Sequence, residues 1–186
     1  VAGQAGLRLC GENEITWEVT HMSERVERNL ASAFASESKA AVRNAAFALK
    51  ADQEGHSRLA RLFRAVADAD SVHARRFLLL MRGKIGTTEE NLSAALENEE
   101  KANKEYYPGM VNDARGSSKA VRKAFAQSME TDGQHADLFE RAKADMLGNN
   151  ETDYYVCHIC GHISEGFVPE NCPVCHAVPG RFKKVR

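Results

Sequence analysis

The chain has 186 residues, with 25 Lys and Arg against 26 Asp and Glu. That length holds one sizeable domain and a small one, and the balanced charge argues against a nucleic-acid partner. No apolar run approaches the roughly 18 residues of a membrane span, and the first residues lack a secretory signal pattern.

Residues 1–21 differ in style from the rest of the chain. "EITWEV" alternates apolar and polar residues and predicts a short strand. Met22 reads as a start, so 1–21 is taken as an N-terminal extension without an assigned role. Residues 22–148 read as a helical domain of four helices. The first runs from about Ser23 to Gln53 and stops near Gly55. The second runs from about Ser57 to Arg82 and stops at Gly83. "GKIGT" is a turn. Thr88 is the expected N-cap of the third helix, with Glu89 and Glu90 favourable in its first turn. That helix fades around "DARGSS", and the fourth runs from about Ser118 to Leu147. Residues 149–153 form a polar linker, and a Cys-rich module fills 154–186. The tail "RFKKVR" reads as solvated surface.

The helical region repeats itself. "NLASAFASE" (29–37) matches "NLSAALENE" (91–99) at an offset of 62, and the same offset carries Phe63, Asp70, His73, Ala74 and Phe77 to Phe125, Asp132, His135, Ala136 and Phe139. A constant register over this many positions indicates two similar helical hairpins. Each hairpin contributes one Glu and one Asp-x-x-His. All six lie on apolar stripes of helical spacing: Val26, Leu30, Ala33, Glu37, Asn44, Phe47 in the first helix; Leu59, Leu62, Phe63, Val66, Asp70, His73, Phe77, Leu80 in the second; Leu92, Leu96, Glu99, Tyr106 in the third; Val121, Phe125, Asp132, His135, Phe139 in the fourth. Unpaired charges do not belong at core positions. One Asp–His pair alone reads as a buried polar pair. A symmetric set of Glu37, Asp70, His73, Glu99, Asp132 and His135 instead predicts two divalent cations, which neutralise four carboxylates and use both imidazoles.

Four of the five cysteines form two Cys-x-x-Cys pairs, Cys157/Cys160 and Cys172/Cys175, and Cys10 stands alone. Two such knuckles complete a tetrahedral thiolate site. Spacing leaves open whether it holds zinc in a structural ribbon or a single iron for electron transfer. His158, His162 and His176 lie nearby and read as surface or neighbouring residues. Metal-binding thiols point to a reducing compartment, so a cytoplasmic setting is expected.

With Glu37, Asp70-x-x-His73, Glu99, Asp132-x-x-His135, "NLSAAL", Tyr107–Pro108 and "CPVC" in these positions, the chain resembles the rubrerythrins over roughly residues 24–186. The resemblance implies a mainly α protein: a ferritin-like four-helix bundle followed by a small rubredoxin-like metal-bound β domain. It implies two non-haem irons in the bundle, iron or zinc in the four-cysteine site, and reduction of hydrogen peroxide to water, with electrons passed through the cysteine-bound iron from an upstream donor protein. Tyr106 or Tyr107 would orient the oxygen substrate. The alternatives are a slow di-iron oxidase or iron-handling protein using oxygen, and a non-catalytic metal-binding scaffold or sensor.

Three positions depart from the family pattern. Asp70 and Asp132 stand where the family has Glu, Ala102 replaces an extra carboxylate that exchanges with the His matching His73, and Asn44 replaces a Tyr. These departures bear on turnover rather than on metal binding. The resemblance also favours a homodimer with exchanged hairpins over an up-down-up-down bundle, which needs no crossover and is the alternative. In a ferritin-like bundle the third helix starts at the opposite end from where the second stops. A helix of about 26 residues spans roughly 39 Å, whereas "GKIGT" reaches at most about 18 Å. Each dimetal site would then draw on two subunits.

Overall fold

The computed structural model describes residues 22–146, Gly148 and 151–185. The expected strand at "EITWEV" and Cys10 lie outside these residues. The chain forms two compact units, divided between Ile85 and Gly86.

The first unit is a helical hairpin of α1 (Glu24–Gln53) and α2 (Ser57–Leu80). Ser23 caps α1 by accepting from the Val26 N–H, with Glu24 and Glu27 placed favourably in the first turn. Gly55 turns the chain at φ +79°, a conformation that favours glycine. The hairpin seam corrects the expectation from the apolar stripes. Ala41, Ala48 and Ala51 of α1 and Ala60, Ala67 and Ala74 of α2 are the buried residues of the two helices. Seven-residue spacing keeps these alanines on one side of each helix, and their small size lets the helices approach closely. The larger apolar side chains flank that seam. Phe47 and Phe63 meet edge to face at 5.5 Å, yet Leu62 remains 58% and Phe47 46% exposed.

The second unit begins with α3 (Thr88–Lys101). Its N-cap is Thr87, one residue before the expected Thr88, in a reciprocal capping box with Glu90. The third helix is also not continuous. After Lys101 comes a π-helical turn over Ala102–Tyr106, then α4 (Tyr107–Asp113) and a 3-10 turn over Ala114–Gly116. Pro108 supplies a cause: it has no N–H for the Lys104 carbonyl, and its ring crowds that carbonyl. The π turn takes up one residue more than an α turn. Tyr107 is accordingly half-buried while Tyr106, the position expected on the inner face, is 51% exposed.

Helix α5 (Lys119–Ala144), capped by Ser118, packs along α3. Gly133 makes the approach possible, because a Cβ there would lie 2.9 Å from Asn103 Nδ2. Asn103 instead donates to the Met129 carbonyl at 2.5 Å, tying the π turn to α5. A three-stranded antiparallel sheet follows, β1 (Tyr154–Cys157), β2 (Ile163–Glu165) and β3 (Phe182–Lys184), in the order β2-β1-β3. The core of this module is cysteine: Cys157, Cys172 and Cys175 are buried, with Cys160, Val174, Ala177 and Phe182 packed around them. The architecture is therefore mainly helical with a small C-terminal sheet: the helices follow the sequence pattern, and the sheet follows what the resemblance implies.

Candidate metal centre

Three clusters of metal-ligating side chains occur among the described residues, and they contain all ten predicted ligands. In the first hairpin, Glu37 from α1 meets Asp70 and His73 from α2, with one ligand atom from each within 4.8 Å of the others. The three-residue step from Asp70 to His73 puts both on one helical face. His73 Nδ1 lies 3.3 Å from Glu37 Oε2. Asn44, one heptad beyond Glu37 on α1, donates through Nδ2 to Asp70 Oδ2 at 2.9 Å.

The second triad repeats this arrangement within the second unit. Glu99 comes from α3, and Asp132 and His135 from α5, again within 4.8 Å. His135 Nδ1 lies 3.7 Å from Glu99 Oε2 and 3.9 Å from Asp132 Oδ1. Its other nitrogen, Nε2, is 3.1 Å from the Gly161 carbonyl. A carbonyl only accepts, so Nε2 carries the proton and Nδ1 keeps a lone pair facing the carboxylates. Burial raises the Glu99 pKa, the Asp132 charge raises it further, and His135 partly offsets both. Burial raises Asp132 likewise, against the lowering effect of His135. Each triad offers two carboxylates and one imidazole, an N/O donor set suited to a divalent first-row cation, whose charge two carboxylates neutralise. Glu99 and His135 lie on the wall of an open groove of about 480 Å³, among Leu92, Leu138, Phe139, Val156 and Ile163.

The third cluster is Cys157, Cys160, Cys172 and Cys175. Cys157 and Cys175 Sγ are 3.6 Å apart, and Cys160 and Cys172 Sγ 3.5 Å. A disulfide would need about 2.05 Å, whereas a tetrahedral site with metal–sulfur bonds of about 2.3 Å puts its sulfurs about 3.8 Å apart. The knuckles are related: Gly161 N–H donates to Cys157 O and His176 N–H to Cys172 O, both at 2.9 Å. Gly161 and His176 each follow the second cysteine of their pair and turn with positive φ, +87° and +62°. Burial pushes the Cys160 and Cys175 thiols up. It pushes Cys157 up too, but hydrogen bonds from the Ile159 and Cys160 backbone N–H groups, together with those of the Cys175 and Cys160 side chains, bring that thiol below its ordinary value.

The rubrerythrin family profile matches residues 28–143, and the profile of the rubrerythrin rubredoxin-like domain matches residues 155–183. The chain belongs to the rubrerythrin family. It is 29% identical over 162 residues to nigerythrin of Nitratidesulfovibrio vulgaris, covering 79% of this chain and 80% of that protein. It is 29% identical over 181 residues to rubrerythrin of Porphyromonas gingivalis, covering 87% and 90%. Among solved structures, a mixed-valence state of nigerythrin resembles the fold with a TM-score of 0.50 at 24% identity, over 92% of this chain and 91% of that one.

Membership in the rubrerythrin family implies a di-iron centre and a rubredoxin-like iron site, and the two triads and the four thiolates are donor sets that fit them. Three features escaped the sequence reading. Asn44, placed by its spacing on the stripe of the first helix and noted as a departure from the rubrerythrin pattern, bonds Asp70. The Gly161 carbonyl sets the His135 tautomer. His162 is half-buried, with Nδ1 2.5 Å from Gln134 Oε1, and its pKa is lowered by burial first and by the nearby His135 second. Backbone carbonyls and cross-element amides carry no spacing signal, so no motif marks them.

Proposed function

We propose that the protein is a di-iron oxidoreductase that reduces hydrogen peroxide, H2O2 + 2 H+ + 2 e− → 2 H2O, with electrons entering through an iron in the four-cysteine site. The observation that carries this reading is the hydrogen bond from His135 Nε2 to the Gly161 carbonyl. Gly161 directly follows Cys160, so a thiolate ligand and a triad ligand are joined through one residue and one hydrogen bond. In this reading two bundle irons, when bound, would supply the electron pair that O–O cleavage needs. Glu37, Asp70 and His73 hold one iron, and Glu99, Asp132 and His135 the other. The Gly161 carbonyl keeps the proton on His135 Nε2, leaving Nδ1 to the metal. Tyr107 orients the substrate through its hydroxyl. The apolar wall beside Glu99 and His135 limits water at the reacting end of the groove.

An upstream donor protein reduces the cysteine-bound iron. The working state is a homodimer in which the hairpins are exchanged. The exposed apolar flank of the first hairpin supports this. So does charge: residues 22–85 carry 12 Lys and Arg against 7 Asp and Glu, and residues 86–186 carry 12 against 16. The four free thiols fit a reducing, cytoplasmic setting. No described helix is long and apolar enough to cross a membrane.

Ala102 favours a second reading, a slow oxidase or iron-handling centre using oxygen, because the rubrerythrin-type mobile carboxylate is missing there. Stopped-flow mixing of the anaerobic, fully reduced protein with peroxide and with oxygen separates the two. The peroxide reading expects faster oxidation by peroxide, and a changed peroxide rate in Ala102→Glu. Faster oxidation by oxygen would support the second reading, and oxidation by neither would leave a non-catalytic scaffold.

A further inference from the structure

The two triads share their ligand types but not their surroundings. Asp70 and Asp132 are each one methylene shorter than glutamate, so fewer torsions set where the carboxylate lies and a neighbouring hydrogen bond weighs more. Asp70 has such a bond. Asn44 reaches across from α1 and donates to Oδ2 at 2.9 Å. The donor is an amide and the acceptor a carboxylate, so the contact is charge-assisted and directional. It engages Oδ2, and among the described residues no hydrogen bond engages Oδ1.

Asp132 is different. Its polar neighbour is His135 Nδ1 at 3.9 Å, and among the described residues nothing donates a hydrogen bond to it. The offset of 62 carries Asn44 to Tyr106. The π turn displaces that residue: Tyr106 is half exposed, and the Lys101 ammonium lies 5.8 Å from its ring centroid. The repeat that places the ligands therefore does not extend to the residue behind them.

We infer that Asn44 is a positioning residue: it holds Asp70 as a one-oxygen ligand and makes Glu37–Asp70–His73 the pre-organised, tighter-binding one of the two triads. This rests on the metal-binding reading above. Asn44 touches no reacting atom, and its effect passes through Asp70. Groups that orient metal ligands in this way typically contribute 10- to 100-fold in metal affinity.

The test uses the full chain with its four-cysteine site filled with zinc, titrated anaerobically with Co(II) and followed by the cobalt d–d absorption. Two variants isolate the donated hydrogen bond. Asn44→Leu has nearly the same shape, suits the apolar stripe and favours the helix, so the hairpin folds, but it has no donor. Asn44→Gln keeps the amide on a longer arm. The inference expects two bundle cobalt ions in the unmodified protein. In Asn44→Leu one of them binds about 10- to 100-fold more weakly, and its band weakens as the freed Oδ2 also coordinates. Asn44→Gln should recover much of both. Equal affinities and spectra in the unmodified protein and Asn44→Leu would overturn the role of Asn44 while leaving the metal site intact. Equal losses in both variants would overturn it as well, by making the effect one of packing. No bundle cobalt in the unmodified protein would overturn the metal reading itself.

Discussion

Gly133 sits beside the candidate ligand Asp132, and replacing it by alanine sets two effects of similar size against each other. In a helix interior, alanine is favoured over glycine by about 1 kcal/mol. A Cβ at 133, however, would lie 2.9 Å from Asn103 Nδ2 and 3.4 Å from its Cγ. The side-chain amide must swing away and release the Met129 carbonyl. That hydrogen bond contributes about 1 kcal/mol net. Gly133→Ala alone should therefore leave stability nearly unchanged, and Asn103→Ala alone should lower it by about 1 kcal/mol. In the Asn103→Ala background, Gly133→Ala meets no obstruction and should raise stability by about 1 kcal/mol. The cycle then shows a coupling of about 1 kcal/mol, as expected for side chains in contact. Thermal melts followed by helical circular dichroism, with the four-cysteine site kept zinc-filled, should show the substitution worth about 2–4 °C only when Asn103 is absent. The same gain in both backgrounds would show that Asn103 does not fix the π turn against α5.

Tyr107→Phe should leave metal uptake unchanged and slow peroxide reduction by removing the hydroxyl that orients the substrate, whereas Tyr106→Phe should match the unmodified protein; stopped-flow traces compare the two, and equal rates for both variants would refute the role of Tyr107. Glu99 and Asp132 have raised pKa values in the folded chain, so between the ordinary carboxylate values and the raised ones the folded state binds more protons than the unfolded state. Stability of protein with an empty bundle and a zinc-filled four-cysteine site should accordingly fall as pH rises through that window, and melts across acidic pH should show this slope removed by Asp132→Asn with Glu99→Gln. Hairpin exchange predicts complementation. Mixing a variant lacking Glu37 and Asp70 with one lacking Glu99 and Asp132 should, on co-refolding, restore one intact dimetal site per heterodimer; no recovery, or a monomer with full metal content, would exclude exchange.

The clustering of the candidate ligands was legible because metal chemistry restricts residue type and helical geometry restricts spacing: Glu37 and Glu99 stand singly, and Asp70/His73 and Asp132/His135 stand three apart, within a 62-residue repeat. The Cys-x-x-Cys pairs were legible for the same reason. The seam of the first hairpin was not. Ala60, Ala67 and Ala74 form a weak hydrophobic signal beside Leu59, Leu62 and Val66, yet close helix approach selects the smallest side chain. The π turn was hidden too, since "ANKEYYPG" is a sound helical sequence up to Pro108, and the tie from Asn103 to Met129 joins residues 26 apart. Tyr106 and Tyr107 illustrate the consequence: a regular helical count selects Tyr106, and one extra residue in a turn exchanges their burial.

If the proposed function holds, the two triads bind two irons, separate from the cysteine-bound iron. Iron analysis of anaerobically loaded protein, with Mössbauer spectra to distinguish thiolate from N/O ligation, tests it most directly. Three irons per chain are expected, one with thiolate character and two with N/O character, falling to the single thiolate-bound iron when Asp70 and Asp132 are both replaced by alanine. One iron in the unmodified protein, or three in the double variant, would contradict the account.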